Sequence, residues 1–234
     1  MFRSSVERFA APIDVEARRK LRLSPTGYDR DRWSQLAELG LIALAAGEDA
    51  GGMGGSAVDL ALVAEAIGTA NSPDPWLEHG VIPALLLGAG GAEGALEGVL
   101  SGETVATLAW AERAQRYNIV AKGTKAETSG DGIVLTGDKT FVFGVLLADL
   151  LIVTAEHEGE TACFLVPSDA EGVNIRAYRL TDGSIAGEVK LTRAAASARL
   201  DLDFAALSMI GAEARLYAAA ERVGLGQRRL DPRH

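Results

Sequence analysis

The sequence holds a single cysteine among 234 residues, so no disulfide can form within the chain, and a reducing compartment is favoured. That residue, Cys163, sits in the apolar run TACFLV, where packing is a commoner role for a free thiol than nucleophilic attack. Histidine is nearly as scarce: His79, His157 and His234 share no metal-ligand spacing with one another or with the cysteine, and no metal site is expected. Basic residues are outnumbered 23 to 32 by acidic ones, leaving a formal net charge of -9. An acidic surface lacks the positive face that nucleic acid or anionic lipid requires. No run of about 18 apolar residues exists, so no membrane-spanning helix is expected. The N-terminal stretch MFRSSVERFAAPIDVEARRK lacks the apolar centre of a secretory signal. Its basic residues suit a transit peptide only weakly, because Glu7, Asp14 and Glu16 interrupt them. A cytoplasmic chain is the expectation.

Recognisable active-site signatures are missing as well. The glycine-rich stretch AGEDAGGMGGSAVD has no Gly-Lys-Ser/Thr ending and no strand before it, so it is not a phosphate cradle. Nor do its glycines fit the dinucleotide fingerprint. A tight turn between helices is the expectation there. There is no Gly-x-Ser-x-Gly elbow. The acidic pairs Glu156/Glu158 and Asp201/Asp203 lie at element ends, where solvated carboxylates are the default.

What the chain does contain is 48% hydrophobic residues and a change of texture near its middle. Its length accommodates one or two domains with a real core. In the first hundred residues the apolar period is helical. Trp33, Leu36 and Leu39 predict a helix over Asp29–Leu39. Ser56 is a natural cap for a second helix from Ala57 to Ile67, with Asp59 in its first turn. Pro75 to Leu87 and Ala92 to Leu100 complete the set, Pro83 being placed to start a separate helix. From Thr104 to Leu202 the period shifts towards two. Strands are predicted at Thr104–Trp110, Ile119–Glu127, Ile133–Thr136, Leu150–Ala155, Thr161–Val166, Val173–Ala177 and Ile185–Thr192, with a turn at Thr136-Gly137-Asp138 among others. No helix interrupts them, so βαβ units are not expected. From Phe204 onward Leu207, Ile210, Tyr217 and Leu225 mark one more helix, whose second face must find cover outside this β unit. The fold class is therefore α+β: a helical domain over residues 1–103, an antiparallel β-barrel or sandwich domain over 104–202, and one C-terminal helix within 203–234.

Four stretches, in order, resemble the acyl-CoA dehydrogenase family. LAELGLIALAAGEDAGGMGGSAVDLALVAEAIGTA (Leu36–Ala70) is similar to its helix, glycine-rich turn and helix, with Gly47-Glu48 where Pro-Glu is usual. GDGIVLTGDKTFVFGVLLADLLIVTA (Gly130–Ala155) resembles the middle-domain hairpin, with Gly137-Asp138-Lys139 in place of Gly-Glu-Lys. FLVPSDAEGV (Phe164–Val173) and ARLYAAAERVGLGQRRLD (Ala214–Asp231) are similar to the next strand and to the first helix of a C-terminal four-helix domain, most of which lies beyond this sequence.

The resemblance implies FAD, an acyl-CoA substrate, electron-transfer flavoprotein as acceptor, and a homo- or hetero-oligomer. In that family a glutamate removes the α-proton of the thioester while a hydride leaves for the flavin, and hydrogen bonds to the thioester carbonyl stabilise the developing charge. The flavin contacts it implies are Leu108, Trp110, Ala111, Phe141 and Phe143; the substrate contacts are Tyr117 and Arg215. Several of these depart from the family pattern. Ala111 and Phe143 stand where hydrogen-bonding threonines are usual, and Tyr117 where a serine is. Phe141, in place of a tryptophan, is expected to share a crevice with Trp110. The catalytic glutamate is absent from its usual positions: Ala214 occupies one, and Glu213, a weak candidate, is one residue away, about a quarter-turn round the helix. Either a dehydrogenase subunit or a scaffold that has lost its flavin is compatible with these departures.

Overall fold

The structure is a computed structural model that describes Val6, Phe9 and residues 15–130 and 132–230. Its helices are α1 (Val15–Leu23), α2 (Arg30–Glu38), α3 (Ala57–Ala70), α4 (Ile82–Ala89), α5 (Glu93–Ser101) and α6 (Phe204–Leu230). Between α5 and α6 run strands β1 (Ala106–Ala109), β2 (Lys125–Ser129), β3 (Gly132–Phe143), β4 (Leu150–His157), β5 (Glu160–Pro167), β6 (Val173–Arg179), β7 (Ile185–Ala195) and β8 (Ala198–Arg199). The architecture is thus α+β, as the change of period requires.

Local chemistry sets the helix limits. Asp29 accepts from the backbone N–H groups of Asp31 and Arg32 and caps α2. Ser56 and Asp59 form a reciprocal capping box at the start of α3. Over Pro75–Leu87 the chain is not one helix. Trp76–Val81 winds as a π-helical turn, and α4 follows with Pro83 in its first turn, where a missing N–H costs nothing. Helix α1 has no buried face, which is why the hydrophobic period does not announce it. It is held instead by Arg18 donating to the Asn71 carbonyl and Arg22 to that of Thr181.

The strands form one sheet ordered β6-β7-β3-β2-β4-β5-β8, with β1 also pairing with β4. Most neighbours are antiparallel, but β1 and β2 both run parallel to β4. Two predicted strand limits are corrected. Residues 119–124 are a loop rather than the start of β2, because the N–H groups of Lys122, Gly123 and Thr124 donate to the Glu112 carboxylate instead of to a neighbouring strand. The predicted turn at Thr136-Gly137-Asp138 lies inside β3, where the register against β7 slips between Leu135 and Gly137. Gly137, with φ of 150°, fits there because a Cβ would stand 2.5 Å from the Thr124 Cα.

Both faces of the sheet's centre are buried. Ile152, Cys163 and Leu165 join the helical core with Trp33, Leu86 and Leu96. Leu151, Val153, Phe164 and Val166 alternate with them into a second core behind the sheet. This explains why β4 and β5 read as continuous apolar runs.

Helix α6 returns across the helical layer and packs on α3. Alanine in place of Gly68 would bring its Cβ within 1.9 Å of the Glu221 carbonyl, and in place of Gly224 within 1.9 Å of the Glu65 carbonyl. Two glycines therefore let the backbones touch. One face of α6 buries Leu207, Ile210 and Tyr217; the other leaves Met209, Leu216 and Val223 more than half exposed at seven-residue spacing.

A candidate acyl-binding site

The N–H-to-carboxylate bonds that reshape residues 119–124 also anchor the loop after β1, which carries Trp110 and Tyr117. Glu112, 5% exposed, accepts at 2.7 Å from Gly123 and at 3.0 Å from both Lys122 and Thr124. Its fourth partner is the ammonium of Lys139 at 2.9 Å. Lys139 is fully buried and also donates to Thr154 Oγ1 and to the Trp110 carbonyl. One ion pair thus fastens the loop after β1, the loop before β2 and the middle of β3. Burial works against the Glu112 carboxylate, yet the Gly123 N–H, Lys139 and the Lys122 N–H together hold its pKa down at about 2. Burial lowers Lys139, partly opposed by Glu112. Next to it the Thr140 N–H donates to the Ala111 carbonyl at 2.9 Å, joining β3 to the loop after β1.

A cavity of about 380 Å³ is walled by the π-turn and α4, by α6, and by β1 with the loop after it. Leu77, Ile82, Leu86, Leu207 and Ile210 make most of it apolar. Its charged groups are Arg215 and Glu78. Gly211 on that wall lies beside Arg215 and Ile119: a Cβ there would stand in ordinary contact, 3.6 Å from Arg215 Nη1 and 4.0 Å from Ile119 Cδ1.

Four of the residues implied by the family resemblance meet in this cavity: Leu108, Trp110, Tyr117 and Arg215. The others do not line it. Ala111 is adjacent through its bond to Thr140. Phe141 is half exposed, with φ of 55° at the point where β3 slips register against β7 between Lys139 and Val142. It is not on the wall of the cavity that Trp110 lines. Phe143 packs on Tyr28, ring centroids 6.4 Å apart, and borders a neighbouring cavity. Glu213 accepts from the Tyr217 hydroxyl at 3.2 Å and is absent from the cavity wall, whereas Ala214 is on it.

Sequence reasoning missed Glu78. It borders both the apolar cavity and a second one of about 250 Å³, which Tyr28, Phe143, Asp182, Ser184 and Glu221 also line. Burial first, then the negative charges of Glu221 and Asp182, push its pKa up to about 7. Burial also raises Glu221. The adjacent His79 is fully buried, and its Nδ1 lies 2.8 Å from the Ala106 carbonyl. Burial pulls it down to about 4, so it stays neutral. Cys163 is pushed up to about 12 by burial, which suits a core thiol. Among the described residues no group of three or more His, Cys, Asp or Glu could hold a metal, and no helix is long and apolar enough to cross a membrane.

The loops by themselves do not complete a flavin-ring site. Stacking surface exists on Phe141 and Trp110, but Ala111 and Phe143 carry no side-chain donor, and Phe143 is spent on Tyr28.

A mostly apolar chamber thus lies between the helical layer and β1 with its following loop, with the cationic Arg215 on its wall. Two family models match the sequence: the acyl-CoA dehydrogenase N-terminal domain over residues 1–93 and the acyl-CoA dehydrogenase middle domain over residues 107–193. The chain belongs to the acyl-CoA dehydrogenase family. It is 30% identical over 183 residues to acyl-CoA dehydrogenase FadE27 of Mycobacterium tuberculosis, covering 76% of this chain and 48% of that protein. It is 34% identical over 139 residues to acyl-CoA dehydrogenase IpdE2 of Mycolicibacterium smegmatis, covering 58% of this chain and 42% of that one. The ChsE4-ChsE5 complex from Mycobacterium tuberculosis superposes with a TM-score of 0.83 at 27% identity, over 97% of this chain and 63% of the matched one. The chain spans about half the length of the curated relatives it matches.

Proposed function

We propose that this chain is the acyl-binding part of an FAD-dependent acyl-CoA dehydrogenase, with the catalytic base and the flavin contacts missing at Ala111 and Phe143 contributed by other polypeptide. On this reading residues 1–103 form a helical unit, 104–202 the β unit, and 203–234 the start of a further helical unit. The observation that carries the reading is the cavity of about 380 Å³ in which Leu108, Trp110 and Tyr117, from β1 and the loop after it, meet Arg215 of α6. Arg215 supplies a positive charge for the anionic CoA moiety, and the leucine and isoleucine walls accept the acyl chain. The bare positions at Ala111, Phe143 and Ala214 account for the need of a companion. The exposed Met209, Leu216 and Val223 on α6 offer a face on which it would pack. The two-component ChsE4-ChsE5 complex among its structural neighbours supports such an assembly.

A second reading, a scaffold that has lost flavin binding, is favoured by the same missing donors. Co-expression with the chain encoded beside it separates the two. A purified complex that shows a flavin absorbance band and desaturates an acyl-CoA supports the first reading. Colourless, inactive protein, alone and in the complex, rejects it.

A further inference from the structure

Most of the cavity wall is aliphatic, yet one carboxyl group is set into it. Glu78 sits in the π-helical turn that precedes α4, a winding frequent at functional sites. Tyr117 is 95% exposed and Arg215 is exposed, so that end of the cavity faces solvent. Glu78 lies towards Glu221, six residues further along α6, roughly 9 Å from Arg215 at 1.5 Å per residue. The Gly68–Gly224 crossing presses the Glu221 backbone against α3 and so fixes where that helix carries its carboxyl. Beyond Glu78 the second cavity is polar, with Ser184, Asp182 and Arg22 on its wall. Of the other acids there, Asp74 pairs with Arg32 at 2.5 Å and Asp182 accepts from Ser184 at 2.6 Å, while Glu221 lies beside Glu78. Glu78 makes no ion pair among the described residues, and its neighbours Glu221 and Asp182 carry its own sign.

A plain hydrocarbon pushed to that depth would strip water from the carboxyl without replacing its hydrogen bonds, which is costly. On the acyl-binding reading above, we propose that the cavity selects acyl thioesters whose hydrocarbon body carries a hydroxyl at its far end, and that Glu78 is the specificity-determining residue that hydrogen-bonds it. The thioester lies at the Arg215 end, the carbon skeleton crosses the leucine-lined middle, and the distal oxygen reaches the junction of the two cavities.

Calorimetric titration tests this with octanoyl-CoA and ω-hydroxyoctanoyl-CoA, on the chain alone and on the co-expressed complex. The wild type is expected to bind the hydroxylated probe about 10-fold tighter, as one hydrogen bond to a carboxyl implies. Glu78→Gln, which keeps a hydrogen-bonding group of the same shape, preserves a preference. Glu78→Leu loses it while retaining octanoyl-CoA. An equal ratio of affinities in the wild type and Glu78→Leu overturns the proposal and leaves acyl binding standing. Absence of binding by either probe in every preparation overturns the acyl reading itself, and this inference with it.

Discussion

Replacing Lys139 by methionine removes the ammonium that pairs with Glu112 and leaves that carboxylate buried with three backbone N–H donors but no counter-charge. Methionine refills much of the volume, so the loss is electrostatic rather than a cavity. Removing one partner of a buried pair costs about 3–5 kcal/mol. For a chain of this size each kcal/mol lowers the melting temperature by about 2–4 °C, so thermal unfolding is expected to move down by roughly 6–20 °C. Glu112→Leu is expected to be at least as damaging, because it also orphans the N–H groups of Lys122, Gly123 and Thr124. For the same reason the double variant Glu112→Leu/Lys139→Met does not recover the wild-type melting temperature, although replacing a bare ion pair by apolar residues often does. Differential scanning calorimetry on the four proteins reads all three quantities. A Lys139→Met protein within about 0.5 kcal/mol of the wild type, the range of an ordinary surface substitution, refutes the reasoning.

Three further outcomes are expected. Gly224→Ala gains up to about 1 kcal/mol in helix propensity. It nevertheless loses about 1–3 kcal/mol net, because the added carbon meets the Glu65 carbonyl and wedges α6 from α3; a raised melting temperature would contradict the close crossing. His79 has a folded pKa of about 4 against an ordinary 6.5, so the stability it gives is present above pH 6.5 and is lost as the pH falls towards 4. The wild type should lose melting temperature across that window faster than His79→Gln, and parallel curves would count against a buried neutral imidazole. Glu78 is shifted the other way, from 4.5 to about 7, so its contribution is present below pH 4.5 and is lost as the pH rises through 7. The melting temperature of Glu78→Gln relative to the wild type should therefore climb over that range, and a constant difference would contradict the raised value.

Much of the fold is local enough to be read from the chain. Caps such as Asp29 and Ser56 declare themselves next to the helices they start, and the two-residue period of β6 and β7 is plain. What stays hidden depends on partners distant in sequence. The loop over 119–124 looks like a strand until Glu112 claims its N–H groups. The parallel pairing of β1 with β4 has no intervening helix to signal it. The Gly68–Gly224 contact joins two helices from opposite ends of the chain. In the site, family resemblance names Leu108, Trp110, Tyr117 and Arg215, which the structure gathers around one cavity. It also names Phe141 and Phe143, which do not line that cavity; Phe141 is half exposed beside a register shift and Phe143 packs on Tyr28. Glu78 escapes notice because a regular helical period carried through Pro75–Leu87 misplaces a side chain on a π-turn.

The central claim is that a fatty acyl chain occupies the space between α4, α6 and the loop after β1. Titrating octanoyl-CoA into the wild type and into Ala214→Phe, which fills that space from the α6 side, tests it most directly. The account predicts saturable binding in the wild type that is lost, or weakened at least about 10-fold, in Ala214→Phe with its melting temperature preserved. Equal affinity in the two proteins would contradict it.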